Sequence, residues 1–139
     1  MVTDCTFCSV VTGIIPAEIV LDTPVVVAFL DYRPLFKGHT LVVPRLHVPT
    51  LRDLEAEVRD ELFARTQTLA AAVQDAVGAA GSFVAMNNVV SQSVPHLHVH
   101  VVPRTRKDGL RGFFWPRQRY ADDDEMASYG ASIRMALEA

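Results

Sequence analysis

The sequence has no hydrophobic run long enough to cross a membrane, and it contains only two cysteines in 139 residues. The longest near-continuous apolar stretch, residues 24–30, is far shorter than the roughly 20 residues that a transmembrane helix needs. Two cysteines are too few for a disulfide scaffold, and a pair three residues apart is typical of metal or redox motifs in cytosolic proteins. We therefore expect neither a membrane span nor a disulfide-built domain.

The sequence also lacks a strong excess of charge, with 13 Lys and Arg against 16 Asp and Glu. This slight acidity argues against general nucleic-acid binding. Half of the residues are hydrophobic, which excludes disorder for most of the chain and fits one domain over residues 1–139. Because the N-terminus has neither the basic start nor the apolar stretch of a signal peptide, we expect a cytoplasmic protein.

The hydrophobic pattern predicts an α+β fold with about five antiparallel strands. Residues 4–17 are predicted to be irregular. Strands are expected at 19–21, 25–30, 40–43, 82–87 and 96–102. A long helix is predicted from an apolar stripe of Leu54, Val58, Leu62, Leu69, Val73 and Val77. Thr50 with Asp53 resembles its capping signal, Gly78 suits its end, and a C-terminal helix is expected near 122–124.

Three histidines alternate with apolar residues in the segment Pro-His-Leu-His-Val-His-Val-Val-Pro-Arg, residues 95–104. On a strand, His96, His98 and His100 would share one face. With 5 histidines in 139 residues, roughly 0.006 such patterns are expected by chance, so the pattern requires an explanation. A solvated polar face and a strand-borne zinc site are two alternatives to catalysis.

The chemical case for catalysis is that a neutral imidazole with one free ring nitrogen is a competent nucleophile toward phosphorus. A hydrogen bond to the other nitrogen fixes the tautomer. Gln92 and Ser93 lie just upstream, preceded by Asn87 and Asn88, and all four are neutral donors suited to phosphate oxygens. The same residues would serve equally in a polar turn.

Residues 92–102 resemble the signature of the histidine triad (HIT) nucleotide-binding proteins, His-φ-His-φ-His-φ-φ, where φ is apolar. The blocks at 4–8, 28–31 and 38–47 are also similar to family blocks, so the resemblance covers about residues 4–106 and leaves a C-terminal loop and helix at 107–139. It implies a HIT-like fold and a hydrolase or transferase of nucleoside monophosphates. Its substrates would be adenosine phosphoramidates, dinucleoside polyphosphates or acyl adenylates, with no redox cofactor.

The resemblance also implies roles for the histidines. His98 would attack the α-phosphorus and form a nucleotidyl-histidine, which water then cleaves. His100 would contact the phosphate and assist the leaving group, and His39 would lie near the catalytic strand. For His39, a structural hydrogen bond is an equally good interpretation.

Other residues are implied to bind the nucleotide. Gln92 and Ser93 would line the phosphate or leaving-group pocket. Asp31 would bind ribose hydroxyls, although it could instead begin the Asp-Tyr-Arg-Pro turn. The loop at 87–93 departs from the family because it lacks glycine and is two residues short. This departure puts the phosphate contacts of Asn87 and Ser91 in doubt, since glycine permits close backbone approach.

Cys5 and Cys8 have zinc-knuckle spacing but supply only half of a tetrahedral site. His47 and His96 could complete it, and many HIT proteins resemble this arrangement. The zinc would be structural because protein atoms would fill all four positions, and His96 would then take no direct part in the chemistry. Two reduced thiols near a flexible end are the alternative, and a thioredoxin-like site is a weaker one.

The segment 104–120 combines six basic residues with Phe113, Phe114, Trp115 and Tyr120. It is either a basic surface loop or a contact surface on which the charges meet a polyphosphate and Trp115 stacks on a base.

The main hypothesis is therefore a HIT-type hydrolase or transferase acting on a purine nucleotide or dinucleoside polyphosphate. The family resemblance also implies a homodimer, for which the long helix could supply the interface. The alternatives are a nucleotide-binding adaptor with negligible turnover and a zinc-stabilised interaction module.

Overall fold

A computed structural model describes residues 4–111 and 116–139, so the predicted base stacking by Trp115 lies outside the described residues. The chain forms two compact units, Met1–Asp108 and Gly109–Ala139. The first contains α1 (Thr6–Val11), β1 (Ile19–Asp22), β2 (Val26–Leu30), β3 (Thr40–Pro44), a 3-10 turn (Leu51–Asp53), α2 (Ala56–Val77), β4 (Gly81–Ala85) and β5 (Val99–Arg104). The second contains α3 (Asp123–Leu137). The expectation of one domain over 1–139 stays a prediction.

The five strands form one antiparallel sheet in the order β1-β2-β3-β5-β4. The α+β class and the five-stranded antiparallel sheet are confirmed. Because β5 lies between β3 and β4, the residues that follow Gly38 are placed beside the histidine segment, with Leu41 opposite His100.

One face of the sheet packs against α2. Leu62, Leu69 and Val73 from the predicted stripe are buried against Leu97 and Val99. Burying each of these side chains stabilises the fold by about 1.5–3 kcal/mol. The helix ends at Gly78, whose φ of 66° is in the left-handed region that glycine favours, as predicted.

The predicted capping signal at Thr50 and Asp53 belongs to a different element. The Asp53 carboxylate accepts from the Thr50 backbone N–H at 3.1 Å, but the pair brackets the 3-10 turn, and α2 begins at Ala56. The capping pattern is local in sequence, so it marks the turn as readily as the helix that follows.

The opposite face of the sheet carries α1, where an irregular segment was predicted. That prediction was wrong. Phe7 and Val10 of α1 are buried against Val27, Phe29 and Leu41 of the sheet. A helix of six residues is too short to be stable by propensity alone, so its formation depends on this packing, which the local pattern does not reveal.

β5 begins at Val99 rather than at residue 96, because residues 96–98 run beside residue 48 before pairing with the sheet. The Leu97 N–H donates to the Val48 carbonyl at 2.7 Å. The predicted alternation nevertheless holds: Leu97, Val99 and Val101 lie in the core beneath α2, whereas the histidines face the other way.

In the second unit, α3 is confirmed as the predicted C-terminal helix. The Asp122 side chain caps it by accepting from the Glu125 N–H at 2.8 Å. Its apolar face, Met126, Tyr129, Ile133 and Leu137, is exposed. Within residues 4–111 and 116–139, no helix is long and apolar enough to span a membrane.

Candidate active site and metal centre

The five histidines of the chain lie in two adjoining groups on the α1 side of the sheet. His39, His98 and His100 form the first group, with ring centroids 4.9 Å apart for His98 and His100 and 5.1 Å apart for His39 and His100. His47 and His96 form the second, with centroids 5.1 Å apart. His96 and His98 are buried, which excludes the alternative of a solvated polar face.

His98 is held in one tautomer by the backbone. Its Nδ1 lies 2.8 Å from the carbonyl oxygen of His96, which can only accept, so Nδ1 carries the proton and Nε2 has the free lone pair. Burial lowers the pKa of His98, against the opposing effects of the His96 carbonyl and of Asp31. His98 is therefore a neutral imidazole with a nucleophilic Nε2 near pH 7.

His39 and His100 form a chain of directed hydrogen bonds that begins at the backbone. The Leu35 N–H donates to His39 Nδ1 at 3.1 Å, which leaves the His39 proton on Nε2. His39 Nε2 lies 2.9 Å from His100 Nδ1 and donates to it, so the His100 proton resides on Nε2. These hydrogen bonds support the structural interpretation of His39 and show that it contacts His100, whereas a catalytic role for His39 stays a prediction.

Both rings of this pair are neutral near pH 7. Burial, reinforced by the neighbouring rings of His98 and His39, lowers the pKa of His100 to about 4. Burial likewise lowers the pKa of His39, although Asp31 opposes the shift. In the neutral state His100 presents an N–H donor and His98 presents a lone pair.

Asp31 follows β2 and uses its two carboxylate oxygens differently. Oδ1 accepts from the Arg33 N–H at 2.9 Å, which confirms the predicted turn. Oδ2 lies 3.8 Å from His39 Nδ1. The carboxylate also borders a cleft, so the turn does not remove Asp31 from the site.

A cleft of about 1020 Å³ connects these groups. His98, His100, Ser93 and Asp31 are among the residues that line it. Apolar side chains of α1 and β2, including Phe7 and Phe29, form much of the remaining surface. A concave, mostly apolar site with a few converging polar groups is typical of small-molecule binding.

Cys5, Cys8, His47 and His96 form a second cluster, in which one ligand atom from each residue lies within 4.8 Å of the others. The Sγ atoms of Cys5 and Cys8 are 3.5 and 3.6 Å from His96 Nδ1, and Cys8 Sγ is 3.5 Å from His47 Nδ1. Tetrahedral zinc bonds to sulfur and nitrogen place such atoms about 3.5 Å apart, so these separations fit zinc.

The surroundings of this cluster also suit a metal. His96 Nε2 donates to the Pro44 carbonyl at 2.8 Å, which leaves Nδ1 unprotonated toward the two sulfur atoms. Burial raises the pKa of the Cys5 thiol, an effect that a bound cation would oppose.

The HIT domain family matches residues 12–107, which include the histidine segment and the cleft residues of the sheet. The chain belongs to the HIT family. A relative named adenosine 5'-monophosphoramidase hnt1, from Schizosaccharomyces pombe, is 35% identical over 96% of this chain and 98% of its own length.

Solved structures of HIT proteins share the fold. A HIT family member from Bacillus subtilis superposes with a TM-score of 0.86 at 30% identity, covering 95% of this chain and 96% of that chain. A zinc-bound histidine triad family protein from Mycobacterium smegmatis superposes with a TM-score of 0.73 at 31% identity, covering 93% and 97% of the two chains.

In this HIT protein, two predicted phosphate-binding residues do not line the cleft. Gln92 Nε2 donates to the Pro49 carbonyl at 2.7 Å, and Gln92 Oε1 accepts from the Val89 N–H at 2.9 Å. The side chain therefore stabilises its own loop. Asn87 is exposed and outside the cleft lining. Their predicted nucleotide contacts stay predictions, whereas Ser93 is at the cleft as expected.

Two residues of the same loop adopt the left-handed backbone conformation that glycine favours, although the loop contains no glycine. Val89 has a φ of 70° and Ser91 a φ of 61°, and this region is strained for a β-branched residue such as valine. The missing glycines are visible in the sequence, but the left-handed conformation that Val89 and Ser91 adopt without them is not predictable from it.

The apolar part of the cleft was not predicted from the sequence. Thr6, Phe7 and Val10 of α1, together with residues 15–18, line the site. The available signal was the position of Phe7 between the two cysteines: a metal site at Cys5 and Cys8 would bring Phe7 to the histidines along with it.

Proposed function

We propose that this HIT protein is a nucleotide hydrolase or nucleotidyl transferase that acts at the α-phosphate with His98 as its nucleophile. The observation that carries the proposal is the protonation pattern of His98. Its Nδ1–H is bonded to the His96 carbonyl, and its Nε2 lone pair is left for attack at the cleft. A solvated or purely structural histidine would not need this arrangement of a buried, neutral ring.

In the first half of the reaction, His98 Nε2 forms a bond to the α-phosphorus while the bond to the leaving group breaks. The His100 Nε2–H donates a hydrogen bond to the leaving atom, which takes up a proton from the aqueous cleft. In the second half, a water oxygen bonds to phosphorus, the phosphorus–nitrogen bond breaks, and the proton of that water is released. One water is consumed, and His98 returns to its starting state.

The polar and apolar parts of the cleft support a nucleotide substrate. Asp31 offers a carboxylate to ribose hydroxyls, Ser93 offers a hydroxyl to the phosphate, and the α1 wall offers apolar surface to a purine base. The activity named for the fission-yeast relative makes adenosine phosphoramidate the first substrate to test, with diadenosine polyphosphates as the second class.

We further propose that Zn²⁺ binds the cluster of Cys5, Cys8, His47 and His96. A zinc ion there would be structural, because four protein ligands fill a tetrahedral shell and leave no position for water or substrate. The ligand separations near 3.5 Å and the zinc-bound relative support the assignment.

The test is AMP release from adenosine phosphoramidate and from diadenosine polyphosphates by the wild type and by His98→Ala. Release that disappears in the variant, with AMP binding retained, would support the enzyme and its nucleophile. His47→Ala is not a suitable control, because it would disturb the metal cluster; Arg59→Ala, on the exposed side of α2, is a better one.

A second candidate function is a nucleotide-binding adaptor with negligible turnover. The loop at 87–93 favours it, since Gln92 bonds to Pro49 instead of lining the cleft. AMP binding without product release from any of these substrates would establish the adaptor. Absence of AMP binding would leave the zinc-stabilised interaction module.

A further inference from the structure

Helix α1 belongs to both sites of the first unit. Cys5, its N-cap, and Cys8, on its first turn, supply the two sulfur atoms of the metal cluster. Thr6, Phe7 and Val10 of the same helix line the nucleotide cleft. Any change in the position of α1 therefore alters the two sites together.

Phe7 lies between the two cysteines and contacts the nucleophile directly. Its ring centroid is 4.9 Å from that of His98, with the planes at 85°, and 5.4 Å from that of Phe29. Phe7 is buried, and its ring packs against the His98 ring in a T-shaped contact. The hydrogen bond from Nδ1 sets the tautomer of His98, and the Phe7 contact restricts where the ring can move.

α1 has little stability of its own. It spans six residues, fewer than two turns, and isolated helices of that length do not persist in water. His47, which follows β3, and His96, which precedes β5, are far from α1 in sequence and form the metal cluster with its two cysteines. A metal ion bonded to all four residues would hold α1, and with it Phe7, against the cleft.

We propose that metal binding at the Cys5, Cys8, His47 and His96 cluster and nucleotide binding in the cleft favour each other, with Phe7 as the positioning residue that links them. This inference rests on the proposed nucleotide function. Thermodynamic linkage requires that zinc raise the affinity for AMP by the same factor by which AMP raises the affinity for zinc. We expect a factor of about ten, within the usual range for coupled sites.

The experiment starts from zinc-loaded protein. The rate at which zinc passes to a chromogenic chelator is measured with and without saturating AMP, and AMP affinity is measured by calorimetry before and after zinc removal. Circular dichroism establishes that the metal-free protein is folded for the second measurement. We expect AMP to slow zinc release about tenfold and zinc removal to weaken AMP binding by a similar factor.

Phe7→Leu tests the link, because leucine keeps an apolar contact for α1 and removes the aromatic ring. We expect the variant to retain zinc but to lose most of the effect of AMP on its release. Ser9→Ala, a half-buried residue of the same helix that does not line the cleft, should leave the effect intact.

Equal zinc release with and without AMP, in protein that binds AMP, would overturn the coupling and leave the proposed function standing. Full coupling in Phe7→Leu would overturn the role of Phe7. Protein that binds no zinc would also overturn the inference. Loaded protein that binds no AMP would instead refute the nucleotide function itself.

Discussion

His39 is the residue through which the backbone sets the protonation of His100, so replacing it tests the proposed chemistry. His39→Phe keeps a ring of similar size in this buried position and removes both hydrogen bonds, from Leu35 N–H and to His100 Nδ1. The His100 proton is then free to reside on either nitrogen. In the Nδ1–H tautomer, His100 presents a lone pair instead of a donor to the leaving atom.

The expected effect follows from what His39 contributes. A correctly placed donor or acid in a transition state is worth about 10²–10⁴-fold, and His39 positions that donor without replacing it. We therefore expect kcat for adenosine phosphoramidate to fall about 10–100-fold, with KM changed less. Leaving His100 Nδ1 without its buried partner should also cost about 1–3 kcal/mol of the free energy of unfolding.

The assay compares leaving groups. A hydrogen bond to the leaving atom matters most when that atom is strongly basic, so His39→Phe should impair amine release more than release of a weakly basic leaving group such as p-nitrophenolate from its AMP ester. His39→Gln, whose amide N–H can still donate toward His100, should recover part of the rate. An equal loss for both leaving groups, or no recovery with glutamine, would refute the assigned direction of the His39–His100 hydrogen bond.

Three further predictions concern the metal, pH and assembly. Cys8→Ala should abolish stoichiometric zinc in elemental analysis, and retained zinc would contradict the assigned ligands. At a free zinc concentration a hundredfold above the Kd of the wild type, the variant should also have a free energy of unfolding about 3 kcal/mol lower than the wild type. Burial lowers the pKa of His100 from 6.5 to about 4, so between these pH values the unfolded chain binds a proton at His100 and the folded chain does not. The free energy of unfolding should therefore decline as the pH falls from about 6.5 to 4. A melting temperature that is flat over this interval in the wild type, or a decline just as steep in His100→Asn, would contradict that account. For the expected homodimer, light scattering should give twice the 15.3 kDa mass of one chain, whereas a mass of 15.3 kDa would exclude it.

The parts of the fold that depend on short periodic patterns could be predicted from the sequence. The alternation of apolar residues and histidines correctly predicted that Leu97, Val99 and Val101 lie in the core and that the histidines lie on the other face. Successive side chains of an extended backbone point to opposite faces. The alternation held even at 96–98, where the backbone pairs outside the sheet and the predicted strand boundary failed. The period of 3.6 similarly predicted that Leu62, Leu69 and Val73 of α2 are buried, but the two ends of the predicted stripe were wrong: Leu54 precedes the helix and Val77 is exposed.

The features that depend on tertiary contacts could not be predicted. Six residues of α1 become helical because Phe7 and Val10 meet the sheet, and no local pattern encodes that meeting. Gln92 has a side-chain amide that can donate to a phosphate oxygen, but this amide forms hydrogen bonds with the backbone of Val89 and Pro49 instead. Side-chain amides bond to whichever partner the fold supplies, so residue type alone does not assign their role.

His96 and His98 show how neighbouring histidines of one motif are suited to different chemistry. The Pro44 carbonyl accepts from His96 Nε2, which exposes the Nδ1 lone pair to the two cysteine sulfurs. The His96 carbonyl accepts from His98 Nδ1, which exposes the Nε2 lone pair to the cleft. Two backbone carbonyls thus select opposite tautomers two residues apart, and the tautomer decides whether a ring is suited to hold a metal or to attack phosphorus. His98→Gln should show this division directly: zinc should stay bound with its stoichiometry unchanged while AMP release is lost, whereas simultaneous loss of both would mean that the two sites cannot be separated at this residue.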